Sequence, residues 1–500
     1  MINIIFGPPG TGKTFTLLDE VDKCIKDGVE IDKIGFFTFS KNATREVHKR
    51  MYNNFGYQQK ELKYFRTLHS LGFKQLNYST EKVMSNENYK EIGKVCGIEM
   101  TYATWDDDNG GMFSSDSPYL SLIELARAKG LTPVEQYNLG EHKDDLDKTT
   151  LMRVDREIKN FKRDRPGMVD FTDMVSEFAR SNVCPKLKVA FIDEAQDLSV
   201  MQWKVVEKIR DNCDILFVAG DDDQCIYKWR GASVTCFLNL KGNRTVLDKS
   251  YRIPKKIFNF ANKIINRIPN KRRVEKKWTP TSEEGLVCSH FGIEDIDLSQ
   301  GEWLILGADR WKLDGYENYL KENNIYHERA KKDNPIKDKY EAIDLYENKL
   351  KKGEALTYDE CHSIKKKMLK EQWDNKMFKA LVRDKMYSLS DLKQKYGLNT
   401  EDSWQGAFTR MGQADTEKIT DLLKRGEDLK NGARIKLATI HGVKGNESDN
   451  VVLPLSLTKT AQEAYETNPD DTHRLMYVGS TRSKKTLHVI YPESKGGYEI

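Results

Sequence analysis

Five hundred residues exceed what a single hydrophobic core serves, so several domains are expected. Hydrophobic residues make up 38% and charged residues 32%, and no apolar run reaches the roughly 18 residues of a membrane helix, which excludes a helical membrane protein. The formal net charge of +4 excludes a uniformly polybasic or polyacidic chain. Charge is nonetheless unevenly spread. Lys255–Lys277 holds nine Lys/Arg against Glu275 alone, and Lys41–Arg66 holds seven basic residues against two acids. Asp106–Asp147 is acidic. Basic stripes of this kind suit a polyanion on one face, although solvated helix faces produce the same pattern. The chain enters a strand at once, leaving no room for a signal peptide, so the cytoplasm is the expected compartment. The eight cysteines show neither C-x-x-C nor zinc spacing and read as reduced thiols.

Met1–Phe6 reads as a buried strand. It runs into Gly7-Pro8-Pro9-Gly10-Thr11-Gly12-Lys13-Thr14, and a helical stretch follows. Strand, G-x-x-x-x-G-K-[ST] and helix together form a phosphate-binding loop. Its glycines let backbone N–H groups approach phosphates, and the helix N-terminus favours their charge. Lys13 would reach the β- and γ-phosphates, and Thr14 would hold Mg²⁺. "KIGFFTFS" (Lys33–Ser40) is a second strand. From about Gly72 to Thr150 the alternation breaks into a polar, partly helical insertion, with a loop at "DDDNGG" (Asp106–Gly111).

"KVAFIDEAQD" then ends a strand in two acids. Asp193 would orient Mg²⁺ through its water shell, and Glu194 would take a proton from an attacking water. "ILFVAGDDDQCIYKWRGA" places Gln224 after a strand, where it would sense the γ-phosphate. Tyr227 and Trp229 alternate with Lys228 and Arg230, a pattern that suits stacking on bases of a single strand. A packed aromatic turn is the alternative. Strand patterns resume at Thr245–Tyr251, Leu286–Phe291 and Glu302–Ala308. A long helical Lys/Glu-mixed stretch follows from about Ala330 to Asn431, before strands at Arg434–Gly442, Asn450–Leu455 and Thr486–Tyr491. The pattern is α/β with parallel sheets, in two domains each carrying an insertion. Arg252 and Arg482 stand in loops after strands, as arginines do that neutralise charge on a γ-phosphate.

In this order the segments resemble the superfamily 1A helicases of the UvrD/PcrA/Rep group, over nearly the whole chain apart from the insertions. GPPGTGKT resembles motif I, "TFSKNATREVHKRM" (Thr38–Met51) motif Ia and "FRTLHS" (Phe65–Ser70) motif Ib. DEAQD resembles motif II, GDDDQCIYKWRGA motif III, "SYRIP" motif IV, "TIHGVKGNESD" (Thr439–Asp449) motif V and "RLMYVGSTRS" (Arg474–Ser483) motif VI. The resemblance implies two RecA-like domains: 1A over residues 1–71 and 156–243 with insertion 1B at 72–155, and 2A over 244–329 and 432–500 with insertion 2B at 330–431. It implies an ATP-dependent DNA helicase that moves 3′→5′, with ATP and Mg²⁺ as cofactors. Its substrates would be single-stranded DNA and duplex junctions, with replication or repair proteins as partners, in a bacterial or phage-infected cell.

For single residues, the resemblance implies that Tyr251 stacks on adenine, Glu447 binds the ribose, and Arg252 and Arg482 are arginine fingers. Thr67, His69, Tyr227, Trp229, Thr439 and His441 would line the DNA path or couple it to the nucleotide. Phe15 departs from the family, which usually has Arg there. The Gln segment that usually precedes motif I is missing, the 2B-like insertion is short, and the usual C-terminal extension is absent; a phage or mobile-element form is the expectation. A translocase that strips proteins from single strands is the close alternative. The 5′→3′ branch is another, against which the Lys-Gly-x-Glu form of "HGVKGNE" argues.

Overall fold

The computed structural model describes residues 1–104, 113–140, 146–308, 310–330, 332, 334–492 and 496–500. The loop expected at Asp106–Gly111 lies outside them. The chain forms two compact units, the first of residues 1–289, 440–447 and 455–500, the second of 290–439 and 448–454.

In the first unit six parallel-paired strands lie in the order Phe65–Thr67, Ile34–Thr38, Leu187–Ile192, Cys213–Gly220, Ile2–Phe6, Asn243–Val246. The four inner strands are largely apolar because helices cover the sheet, as parallel sheets require, whereas the edge strand Asn243–Val246 is polar and mostly exposed. Register aligns Phe65 with Phe36, Phe36 with Phe191, and Phe191 with Phe217. The four rings stack across the sheet at 6.0, 5.9 and 5.0 Å between centroids. Burying each side chain contributes about 1.5–3 kcal/mol. Such stacking also resists a register slip, which would turn every ring to the other face.

The strand carrying the P-loop, Ile2–Phe6, pairs with Cys213–Gly220 on one side and Asn243–Val246 on the other. The carboxyl ends of Ile2–Phe6, Leu187–Ile192 and Cys213–Gly220 deliver the P-loop, Asp193 and Asp221 to one edge, where ligands bind in open α/β sheets.

The region expected as insertion 1B is mainly helical: Asn86–Cys96, Pro118–Lys129 and Lys148–Arg163. Tyr89, Ile92, Leu120, Ile123, Leu151, Val154 and Ile158 give it its own core. Part of the acidic excess is spent inside. Glu124, with Asp170 and Asp173, surrounds Arg127, whose Nη1 lies 2.7 Å from both Glu124 and Asp170.

The second unit holds parallel-paired strands in the order Glu328–Arg329, Ile435–Thr439, Trp303–Gly307, Ser448–Pro454. Ile305 aligns with Leu437 on one side and Val452 on the other. A helical region with its own core, including Tyr346, Leu356, Trp373, Phe378 and Ile419, interrupts it. A two-stranded ribbon, Leu356–Thr357 against Met386–Tyr387, is its small β element. The architecture is α/β with two RecA-like parallel sheets, each associated with a mainly helical insertion. Among the described residues no helix is long and apolar enough to cross a membrane.

Candidate functional site

The loop Gly7–Thr14 turns sharply between the Ile2–Phe6 strand and the Lys13–Lys26 helix. A Cβ at Gly7 would meet Lys13 Cγ at 2.0 Å, so only glycine lets the lysine fold over the loop. Gly10 has φ +72°, and a Cβ there would meet Arg252 Cβ at 2.6 Å. Glycine at Gly10 thus permits both the left-handed turn and the approach of Arg252. The segment after the Asn243–Val246 strand is pinned to the loop: Ser250 Oγ donates to Pro9 O (2.8 Å) and Tyr251 N to Gly10 O (2.8 Å). Lys13 Nζ donates to Gly7 O at 2.9 Å. Tyr251 is 73% exposed and Phe15 63% exposed, two aromatic rings presented to solvent by the loop and its neighbour.

Asp193 and Glu194 follow the Leu187–Ile192 strand. Thr14 Oγ1 donates to Asp193 Oδ2 at 2.7 Å. A hydroxyl and a carboxylate are the hard oxygen donors magnesium takes, so this pair fits the ion. Burial, with Glu194 beside it, pushes the Asp193 carboxyl up to about 6. A cation there would relieve that strain. Burial also pushes Glu194 up, but the ammonium groups of Lys13 and Lys444 outweigh it and hold Glu194 below the ordinary value. Glu194 has φ +53°, a backbone state that costs about 1–3 kcal/mol in a non-glycine residue and concentrates at functional sites. Gln196, fully buried, holds it: Nε2 donates to Glu194 Oε2 at 2.6 Å, while Oε1 accepts from Asp221 N at 2.9 Å.

Gln224 stands in the loop after the Cys213–Gly220 strand. Its Nε2 donates to Asp221 Oδ2 at 2.7 Å, and its Oε1 accepts from Arg482 Nη2 at 3.1 Å. Arg482 is 2% exposed, and its Nε donates to Val478 O. Burial and the neighbouring Arg252 guanidinium pull it down to about 9, so it is charged at neutral pH. Arg252 Nη1 pairs with Glu447 at 2.9 Å. Lys444 binds the Asp197 carboxylate and donates to Gln224 O at 2.7 Å. Lys13, Thr14, Asp193, Glu194, Gln224, Arg252, Glu447 and Arg482 all line one cleft of about 710 Å³ within the first unit.

The residues expected along a DNA path divide by exposure. Trp229 is 54% exposed, with the Arg230 guanidinium 4.4 Å from its ring centre. Tyr227 is buried. It stacks on Phe39 at 5.7 Å, and its hydroxyl donates to His441 O at 2.7 Å. Thr67 caps a helix by accepting from Ser70 N, and it lines a second groove with Lys41, Arg45, His48, Lys60, Arg66 and Lys74. Thr439 ends a strand of the second unit. Two members of the other basic run are absorbed internally, Arg273 and Lys276, buried on Asp221–Asp223, whereas the rest of it is exposed, Arg272 pairing with Asp470 at the surface. A charge count does not distinguish such buried partners from a binding stripe.

His69 packs against Phe171, and burial lowers it to about 4. A buried neutral histidine contributes stability above its unfolded value of about 6.5 and loses it as pH falls toward the folded value. The melting temperature of the native protein should therefore fall toward that of a His69→Asn variant between pH 6.5 and about 4. A difference that stays constant over that range would show that His69 is not buried in its neutral form.

Gln196, Asp197, Lys444 and Lys276 carry much of this geometry, yet sequence reasoning assigned them no role. The first three sit inside DEAQD and HGVKGNE, which was the available signal. Lys276 lies in a charge run with no such signal.

A parallel sheet with a P-loop and, at its carboxyl edge, a buried Asp followed by a half-buried Glu defines the RecA-like P-loop class. Residues 2–245 match the UvrD/REP helicase N-terminal domain, and residues 409–494 match the UvrD-like helicase C-terminal domain. The chain belongs to the UvrD/PcrA/Rep-like group of superfamily 1A. It is similar to the ATP-dependent DNA helicase PcrA of Bacillus subtilis, 24% identical over 318 residues that cover 60% of this chain and 42% of that protein. PcrA of Leuconostoc citreum is 26% identical over 297 residues, covering 55% of this chain and 38% of that protein. The match thus spans less than half the length of these relatives.

Proposed function

We propose that the chain is an ATP-dependent DNA helicase that translocates 3′→5′ on single-stranded DNA and separates duplex. The observation that carries this reading is the shared cleft, where Lys13, Glu194, Gln224, Arg252 and Arg482 converge. Mg²⁺–ATP would supply the phosphoanhydride and the ion that Thr14 and Asp193 hold. Lys13 binds the β- and γ-phosphates. Glu194, kept ionised, accepts the proton of the attacking water. Arg482 and Arg252 meet charge that develops on the γ-phosphate, Arg252 leaving Glu447 to do so, which frees Glu447 for the ribose. Tyr251 stacks on the base.

Strand contact is assigned to Trp229 and to the basic groove at Thr67. Tyr227, His441 and Lys444 couple it to Gln224, because hydrogen bonds link all of these to one loop. His69, in the first turn of the helix that Thr67 caps, and Thr439, two residues before His441, support that path. The reading places the protein in the cytoplasm, working at single strands and duplex junctions with replication or repair proteins.

Strand displacement on 3′-tailed and 5′-tailed duplexes, alongside phosphate release with and without single-stranded DNA, tests it. Displacement from the 3′ tail only, with DNA-stimulated hydrolysis, is expected. Hydrolysis and protein displacement without duplex separation would favour the translocase, and displacement from the 5′ tail would reverse the polarity.

Trp229→Ala should weaken strand binding by about 1–3 kcal/mol, the worth of one stacked base. Lys228→Ala should cost less, because the Lys228 ammonium lies 2.5 Å from Asp471 and is partly spent there. Melting temperature should move little for Trp229→Ala, since the ring is half exposed. A large thermal loss with unchanged affinity would make the ring a packing element.

A further inference from the structure

The acidic stretch Asp221–Asp223, just ahead of Gln224, is buried, and its neutralisation comes from a segment 50 or more residues away. Lys276 Nζ lies 3.0 Å from Asp221 Oδ1, 2.7 Å from Asp222 Oδ1 and 2.6 Å from Asp223 Oδ2. Arg273 takes both oxygens of Asp223, at 2.8 and 2.7 Å, and Val274 N donates to Asp222 Oδ2 at 2.9 Å. Three carboxylates out of water are tolerated only with such pairing.

Asp221 is the member that bonds the cleft residue Gln224. Its Oδ1 is held by Lys276, and its Oδ2 accepts from Gln224 Nε2 at 2.7 Å. An ionised carboxylate only accepts, so the Gln224 amide must present nitrogen to Asp221 and oxygen to Arg482 Nη2, 3.1 Å away. We propose that Lys276 is a positioning residue for Gln224: by anchoring Asp221 it fixes which end of that amide faces Arg482 and the γ-phosphate. The inference rests on the ATP-hydrolysing reading of the cleft. Burial pushes the Asp221 carboxyl up, but Lys276, and more weakly Lys13, hold it below the ordinary range, so the acceptor-only state persists.

Steady-state ATP hydrolysis with single-stranded DNA tests this on four proteins: native, Lys276→Met, Gln224→Ala and the double variant. Gln224→Ala should lower kcat about 10²–10³-fold, as the loss of one preorganised polar group does. Lys276→Met should lower kcat about 10²-fold with KM for ATP nearly unchanged, since a small misplacement carries that cost. The double variant should be no slower than Gln224→Ala alone, because Lys276 acts only through Gln224. Lys276→Arg should restore part of kcat.

Losses that multiply in the double variant overturn the proposal, as does a Lys276→Met protein with native kcat and a lowered melting temperature. If Lys276→Met does not fold, Asp221→Asn, nearly the same shape, replaces it in the cycle. Its amide no longer demands a donor from Gln224 and gives up the charge that Lys276 anchors, so the same loss absorbed by Gln224→Ala is expected, and multiplying losses there are equally fatal. A native protein without DNA-stimulated hydrolysis would instead sink the reading of the cleft itself.

Discussion

Lys13→Ala is expected to reduce ATP hydrolysis to background while leaving single-strand affinity close to native. Lys13 stands at the N-terminus of its helix, where the loop turns backbone N–H groups and an ammonium toward one anion-binding point. Its charge also holds the Glu194 carboxyl down, so in the proposed mechanism its loss removes a phosphate ligand and lets the Glu194 carboxyl rise toward its protonated form. The basic groove around Lys41, Arg45 and Arg66 contains none of these residues and should hold a strand as before. Phosphate release and fluorescence anisotropy on one preparation decide the matter. DNA-stimulated turnover in a folded Lys13→Ala protein would remove the P-loop from the proposed mechanism.

The second large effect is expected at Arg482. Arg482→Ala should lower the catalytic rate about 10³–10⁵-fold, the range of other arginine fingers. Nucleotide affinity should change much less, because the guanidinium acts on charge that appears in the transition state. Burial adds a second consequence. Arg482 donates to Gln224 Oε1 and to Val478 O, which also accepts from Thr481 Oγ1, so its loss leaves Gln224 Oε1 without its donor and should cost about 1–3 kcal/mol of stability. Arg482→Lys should keep more of the fold yet rescue the rate poorly, since a point charge cannot reproduce a planar fork. Kinetics and thermal melts on both variants separate the two effects. Lost affinity with an unchanged maximal rate would take Arg482 off the list of catalytic residues.

Much of this was legible in the chain itself. The P-loop could be read because its chemistry demands glycines and a Lys-Thr pair at fixed spacing, and a strand and a helix flank it. Asp193 and Glu194 were readable because a parallel strand is a continuous apolar run that ends in the residues it presents. The mainly helical insertions showed as breaks in the strand and helix alternation. These are local signals, set by backbone geometry and side-chain period.

The tertiary structure decided what depends on partners distant in sequence. Lys276 and Asp221 are 55 positions apart, and Gln224 and Arg482 are 258 apart. A basic run looks the same whether it faces DNA or three buried aspartates; only the folded chain shows that Arg273 and Lys276 take the second course. Tyr227 and Trp229 sit two residues apart in one aromatic, basic stretch, yet the first is buried under His441 and the second is exposed. Sequence determined the sheet and the loops at its edge, because hydrophobic period and turn chemistry act over a few residues. Which charges are satisfied and which remain for a ligand was settled by packing, because desolvation depends on everything the fold brings near.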